Sequence, residues 1–226
     1  MIKDKCSTCE IKSAAVSSLD GIQLDILEKN CAEALFKKGE TIIKQNSLSS
    51  NIIYLKEGLV KTSIEWKRKH QILNIIKAPA FLGIPTTLGD KINQYSATAL
   101  LQTRACFIDI GTFKMLIARN GKFSYEIIIH LCQNELQQQK RCVYRSQKHV
   151  NGLIADTLLF FSDEIFDNHS FTIPISRSEI GDLIGTTQET VSRVLNTFNE
   201  EGLIEMSGKA MTIKNHDMLT KISLNG

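Results

Sequence analysis

Hydrophobic and polar positions change their period twice along this chain. In "LDGIQLDILEKN" (19–30) apolar residues fall at 19, 22, 24, 26 and 27 between polar ones, which predicts a short amphipathic helix. Residues 34–110 read differently. "ETIIKQ", "NIIYLKEG", "LVKTSIEW", "QILNIIKAP", "YSATALLQT" and "ACFIDI" are short apolar or β-branched runs, punctuated by Gly39, Gly58, Gly83 and Gly89. Many short strands broken by turn residues predict an antiparallel barrel or jelly roll. Beyond Gly111 the alternation stops, and residues 123–150, free of proline, predict one long helix. Its first half is apolar nearly all round, at Phe123, Tyr125, Ile127, Ile128, Ile129, Leu131 and Cys132, while its second half is Gln-rich. One apolar face suffices to cover a barrel. The other is accounted for by the same helix of a second subunit, with Phe123, Ile127, Ile128 and Leu131 as the expected dimer contact.

The closing region has its own organisation. "HVNGLIADTLLFFSDEI" predicts a helix, "SFTIPIS" an extended piece holding Pro174, and "EMSGKAMTIKN" a hairpin turning at Ser207 and Gly208. Between them, Ser176 and Glu179 stand at capping-box spacing before the apolar stripe Ile180, Leu183 and Ile184, and Gly185 ends that helix. Thr186 or Thr187 caps a second helix whose Val191, Val194, Leu195 and Phe198 face inward, and Gly202 closes it. Two short helices joined by a glycine-containing turn are the physical content of a helix-turn-helix, here followed by a wing. The second helix exposes Gln188, Glu189, Ser192, Arg193 and Asn196. Arginine can donate two hydrogen bonds to guanine, glutamate can accept from cytosine, and Ser or Gln can meet a base edge or phosphate. Gln188, Glu189, Ser192 and Arg193 are therefore the expected base readers of double-stranded DNA. Arg177, Thr187, Lys209 and Lys214 flank them and are the expected phosphate contacts.

The expected architecture is α+β. A cysteine-containing N-terminal segment (1–18) precedes a jelly-roll sensor domain (19–111), a connecting and dimerisation helix (112–149) and a winged helix-turn-helix (150–226).

Composition adds three constraints. With 226 residues, 42% of them hydrophobic, the chain can bury a sizeable core without disulfides. No run approaches the roughly 18 apolar residues of a membrane span, and "MIKDKCSTCEIK" lacks the apolar centre of an export signal. A cytoplasmic protein without membrane association is expected, its six cysteines being thiols or ligands in a reducing compartment. The formal charge of +3 decides nothing, since phosphate binding depends on where charge is clustered. No nucleophile triad, phosphate loop, HExxH or paired-carboxylate pattern stands out, so no enzyme is expected.

"ISRSEIGDLIGTTQETVSRVLNTFNEEGLIE" resembles the C-terminal DNA-binding signature of the Crp/Fnr family of bacterial transcription regulators. "FKKGETIIKQNSLSSNIIYLKEGLVK" (36–61) resembles the start of that family's cyclic-nucleotide-binding-like jelly roll, and the long helix resembles its dimerisation helix. The resemblance implies a homodimer on a near-palindromic operator, with RNA polymerase as a further partner. It also implies that Glu189 and Arg193 read a G·C core, and Ser192 matches the oxygen-sensing branch. Gln188 matches neither that branch nor the cyclic-AMP-responsive one.

The same resemblance bears on the signal. Members that bind cyclic AMP carry a Gly-Glu pair and, further on, Arg-Ser. Here Gly83 is followed by Ile84, and Asn93, Gln94, Tyr95 and Ser96 offer no arginine, so cyclic AMP is not the expected ligand. Cys6 and Cys9 have the spacing of a metal or cluster pair. The resemblance implies Cys106 as a further iron–sulfur ligand, but the position matching the branch's third N-terminal cysteine holds Ala15. Cys31 joins them only if the N-terminal segment folds back, and otherwise is a small core hydrophobe. Cys132 is expected to pack and Cys142 to be exposed. Zinc at the cysteine pair, haem with His70 as a ligand, an effector-independent regulator and a protein-interaction module without DNA readout remain alternatives.

Overall fold

The computed structural model describes Cys6, residues 9–67 and residues 69–225; residues 1–5, 7 and 8 of the expected N-terminal segment lie outside. Among the described residues no helix is long and apolar enough to cross a membrane. The chain divides into two compact units, residues 1–68 with 73–136 and residues 69–72 with 137–226.

In the first unit, α1 (Ala14–Ser17) and α2 (Gly21–Lys29) precede the strands. Asp20 and Gln23 form a reciprocal capping box that starts α2, where the 19–30 periodicity places a helix. The strands are β1 (Cys31–Phe36), β2 (Thr41–Ile43), β3 (Asn51–Glu57), β4 (Leu59–Trp66), β5 (Lys69–Lys77), β6 (Ala80–Leu82), β7 (Ser96–Ala99) and β8 (Thr103–Asp109), with α3 (Ile84–Gly89) between β6 and β7. They form two four-stranded sheets, ordered β1-β8-β3-β6 and β2-β7-β4-β5, the two layers of a jelly roll.

Strand alternation gives the first sheet two buried faces. Ile53, Leu55 and Ala105 point inward and pack with Ile43, Val60, Leu82 and Ala97. Their neighbours Ile52, Tyr54 and Ile108 point outward, where Leu27, Phe113, Leu116, Phe123 and Ile127 cover them. The covering residues come from α2, α4 (Ile110–Arg119) and α5 (Gly121–Gln147). Fully burying one such side chain contributes about 1.5–3 kcal/mol, so this outer layer is a second core.

The long helix thus has two apolar faces with different fates. Phe123 and Ile127, expected at a subunit contact, are instead buried in the outer layer of their own unit, and Leu131 is half-buried against it. One turn separates 123 from 127, which puts both toward the sheet. Tyr125, Ile128, Leu136 and Val143 remain exposed. Cys132, expected to pack, is exposed with them because it follows Ile128 by four residues; Cys142 is exposed as expected.

The second unit contains α6 (Val150–Leu159), β9 (Ser170–Thr172), α7 (Arg177–Ile184), α8 (Gln188–Glu200), β10 (Ile204–Ser207), β11 (Ala210–Ile213) and α9 (His216–Asn225). After α6 the helix widens to a π-helical turn over Phe160–Phe166. The wider turn brings residues five apart to one side, so the rings of Phe161 and Phe166 both reach Phe171 of β9, at 6.4 and 5.5 Å. A three-stranded sheet, ordered β10-β11-β9, completes the unit.

Candidate nucleic-acid interface and thiol site

The interface is built from caps and one close approach. Ser176 Oγ accepts from the Glu179 N–H (3.2 Å) while the Ser176 N–H donates to Glu179 Oε2 (2.7 Å), fixing the start of α7. Gly185 ends it in the left-handed region at φ 82°, and the Gly185 and Thr186 N–H groups both donate to the Gly181 carbonyl, at 2.8 and 3.0 Å. A Cβ at Gly181 would stand 2.6 Å from the Thr186 carbonyl oxygen, so the turn closes this tightly because residue 181 has no side chain. Thr187 Oγ1 accepts from the Thr190 N–H (3.3 Å) and starts α8.

Val191, Val194, Leu195 and Phe198 hold α8 to the unit's core. The opposite face presents Gln188, Glu189 and Arg193 to solvent, with Ser192 half-buried beside them. Glu189 and Arg193 stand one helical turn apart on this face. The Glu189 carboxyl is held below its ordinary range by its own backbone N–H and then by the Thr187 hydroxyl, which keeps it an ionised acceptor. Arg177 is half-buried in the first turn of α7, and Thr187 is exposed at the head of α8. Lys209 is exposed in the two-residue turn of the β10–β11 hairpin, where Gly208 takes φ 62°. Lys214 is engaged by Glu205 at 2.6 Å, a partner that the spacing of basic residues does not reveal.

The thiol site lies on the outer face of the first sheet. Register places Cys106 of β8 between Glu33 of β1 and Tyr54 of β3, and Cys31 opposite Ile108, one diagonal step from Cys106 on the same face. The Cys6 N–H donates to Glu28 Oε2 of α2 (3.2 Å), and Cys6 packs against the outer core that includes Cys31. The Cys31 side chain is hydrogen-bonded to both Cys106 and Cys6. Donation from Cys31 lowers the Cys106 thiol despite its burial, and the Lys56 ammonium adds to the effect. The same bond, the bond to Cys6 and burial push the Cys31 thiol up. Cys9 stands close enough to Tyr54 and Cys106 does likewise, so that both act electrostatically on its phenol, which burial above all pushes up to about 12.

Two further groups complete this patch. Lys56, only 4% exposed, is paired with Glu33 at 3.0 Å. Tyr54 is 5% exposed, and its hydroxyl has no hydrogen-bond partner among the described residues. A buried hydroxyl without a partner costs about 1–3 kcal/mol. Neither residue stands out as functional in the sequence. The alternation of "NIIYLKE", which puts Ile52, Tyr54 and Lys56 on one face, is the signal that could have grouped them.

Among the described residues no three His, Cys, Asp or Glu side chains converge on a single metal ion. A four-iron cluster makes a different demand, four thiolates each on its own iron. Cys6, Cys31 and Cys106 pack together here, while the Cys9 thiol donates to the Ile11 carbonyl (3.6 Å). Ala15, at the position that matches the Fnr branch's third N-terminal cysteine, is buried in α1 at 3% exposure. His70, the haem candidate, is exposed on β5.

The segment where a cyclic nucleotide phosphate would be expected is occupied by internal bonds. The Gly83 N–H donates to Tyr95 Oη (2.9 Å), Asn93 Nδ2 to Ser47 Oγ (3.0 Å), and Thr86 Oγ1 to the Gly83 carbonyl (3.1 Å). Ile84 is buried, and no arginine lies in 81–100.

A jelly roll followed by a winged helix-turn-helix is the architecture of a DNA-binding transcription regulator. Residues 33–120 match the cyclic nucleotide-binding domain family and residues 154–222 the Crp-like helix-turn-helix domain family. The transcriptional activator protein FnrA of Stutzerimonas stutzeri is 26% identical over 92% of this chain and 88% of its own length. The fumarate and nitrate reduction regulatory protein of Escherichia coli is 25% identical over 96% and 90%. The crystal structure of a crp/fnr-family regulator from Eubacterium rectale superimposes with a TM-score of 0.77 at 17% identity, covering 92% of this chain and 96% of that one. The chain belongs to the Crp/Fnr family of transcription regulators and stands nearer its Fnr branch. Neither matching family describes a catalytic domain.

Proposed function

We propose that this regulator acts as a homodimer on a near-palindromic operator, reading each half-site with the exposed start of α8, and that its signal is a redox change, oxygen or nitric oxide received at the thiol patch. The observation that carries the DNA reading is the Glu189–Arg193 pair, displayed on a helix whose start is capped by Thr187. Arg193 donates to guanine O6 and N7, and ionised Glu189 accepts from cytosine N4. Gln188 and Ser192 contact the neighbouring edge or phosphate, while Arg177, Thr187 and Lys209 hold the backbone. Two heads related by a twofold axis meet the duplex about one turn, ~34 Å, apart. The exposed row Tyr125, Ile128, Leu136 and Val143 supplies the dimer seam, and recruitment of RNA polymerase is the downstream step.

The redox part of the reading is favoured over cyclic nucleotide by the grouping of Cys6, Cys31 and Cys106 and by the internal bonds of Gly83, Asn93 and Thr86. The Fnr-branch relatives support it further. When bound there, an iron–sulfur cluster supplies sensitivity to oxidants. The chain's own residues supply the ligands, the buried Lys56 cation beside them and a covering layer that limits access.

Selection of preferred sites from random duplexes tests the DNA reading. Arg193→Ala is expected to lose about 1–3 kcal/mol of discrimination at one base pair per half-site, a factor of roughly 5 to 150, with its fold intact. Unchanged sequence preference would refute base reading by α8.

A further inference from the structure

We propose that Gln188 sets a base preference of its own, reading the adenine of an A·T pair next to the G·C core of each half-site through two hydrogen bonds from its carboxamide. The proposal rests on the DNA reading above and specifies one more position of the operator. The exposed side chains at the head of α8 differ in what they can bond. Arg193 only donates and the Glu189 carboxylate only accepts, whereas a glutamine presents one acceptor and one NH2 donor side by side. In the major groove adenine shows the complement on a single base, an N7 acceptor beside an N6 donor. Guanine shows two acceptors, cytosine a donor, and thymine an acceptor with a methyl group.

Three observations direct Gln188 to a base edge rather than to the backbone. It is the first residue of α8, directly after the Thr187 cap, and a recognition helix meets base edges with its N-terminal residues. Its side chain is exposed and makes no hydrogen bond among the described residues. The polar groups around it are engaged: the Thr187 and Thr190 hydroxyls bond each other at 3.3 Å, and Asn199 Oδ1 accepts from the Met206 N–H at 3.1 Å. Both halves of the Gln188 amide are therefore available to DNA. The third observation is the neighbour, Glu189, whose carboxyl its own backbone N–H and the Thr187 hydroxyl keep ionised. A carboxylate there opposes a phosphate or an acceptor-only edge such as that of guanine, and favours a donor such as adenine N6. Arg177 and Lys209 carry the positive charge that phosphates attract. The spacing agrees, since consecutive Cα atoms lie about 3.8 Å apart and successive bases of a strand rise ~3.4 Å, so residues 188 and 189 serve neighbouring base pairs.

Selection from random duplexes with the full-length protein, followed by competition with modified duplexes, tests the assignment. The wild type is expected to select adenine at one position beside the G·C core, repeated symmetrically in both half-sites. Gln188→Ala should lose the preference at that position alone, keeping the G·C core and the far-UV circular dichroism of the wild type. Gln188→Glu, which only accepts, should exchange adenine for cytosine there. Substitution of 7-deazaadenine at that position keeps Watson–Crick pairing and removes N7. It should weaken wild-type binding by about 2- to 13-fold, the worth of one hydrogen bond, and leave Gln188→Ala unaffected. A wild type that selects the G·C core without an adjacent adenine, or is indifferent to 7-deazaadenine, overturns the role of Gln188 and leaves the DNA reading standing. Adenine retained by Gln188→Ala does the same. An even loss of affinity across all sequences in Gln188→Ala makes the residue a backbone contact and likewise overturns the proposal. A wild type that selects no sequence at all overturns both.

Discussion

Gly181→Ala isolates the physical basis of the helix-turn-helix. The new Cβ would stand 2.6 Å from the Thr186 carbonyl oxygen, about 0.7 Å inside the ~3.3 Å at which carbon and oxygen ordinarily meet. That oxygen is backbone, so relief requires moving the turn rather than a side-chain tip. Alanine itself favours a helix over glycine by about 1 kcal/mol. Against this stand an overpacking cost of about 1–3 kcal/mol and the weakening of a bond worth about 1 kcal/mol, since the Gly185 and Thr186 N–H groups both end on the Gly181 carbonyl. The net is a loss of about 1–3 kcal/mol, which at about 4–8 °C per kcal/mol for a unit of this size lowers its melting by roughly 4–24 °C. Calorimetry measures the shift, and hydrogen exchange should localise faster opening to the α7–α8 turn and the first turn of α8. DNA affinity should fall as well, because Thr187 and the reading face move with the turn. Gly21→Ala is the matched control: nothing lies within 4 Å of its added Cβ, so stability should hold or rise by about 0.4–1 kcal/mol. A Gly181→Ala protein that melts at or above the wild type with unaltered exchange would refute the close approach as the reason for glycine.

Ser176→Ala removes the acceptor at the head of α7 and should cost about 1 kcal/mol by urea denaturation, with a smaller loss for Ser176→Thr. Ile128→Glu places a charge in the exposed row of α5, and sedimentation should show a shift from dimer to monomer at micromolar concentration, with operator binding weakened in parallel. Persistence of the dimer would move the seam elsewhere. Glu205→Gln frees Lys214 from its 2.6 Å ion pair and should steepen the dependence of log Kd on log salt by about 0.9, one added phosphate contact, while Lys209→Ala should flatten it by the same amount. Equal slopes for all three proteins would remove both lysines from the phosphate contacts.

What could be read in the sequence is what local chemistry fixes. The α7–α8 pair is legible because Ser176, Glu179, Gly185 and Thr187 act on neighbours within a few residues, and the α8 stripe has a helical period. The jelly roll is legible in class, since β-branched runs between turns need strand partners, but the runs do not say which strands pair. That pairing decided the rest. It set Cys106 between Glu33 and Tyr54, buried Cys31 in the outer core as a small hydrophobe with Cys6 and Cys106 packed against that core, and buried Lys56 against a carboxylate. It also divided the long helix, sending Phe123 and Ile127 into their own unit and leaving Ile128 outside. Contacts between residues near in sequence depend on geometry that every helix and turn shares. Contacts such as Cys6 with Cys31 and Cys106 depend on a register set by the whole sheet, and only the folded chain contains it.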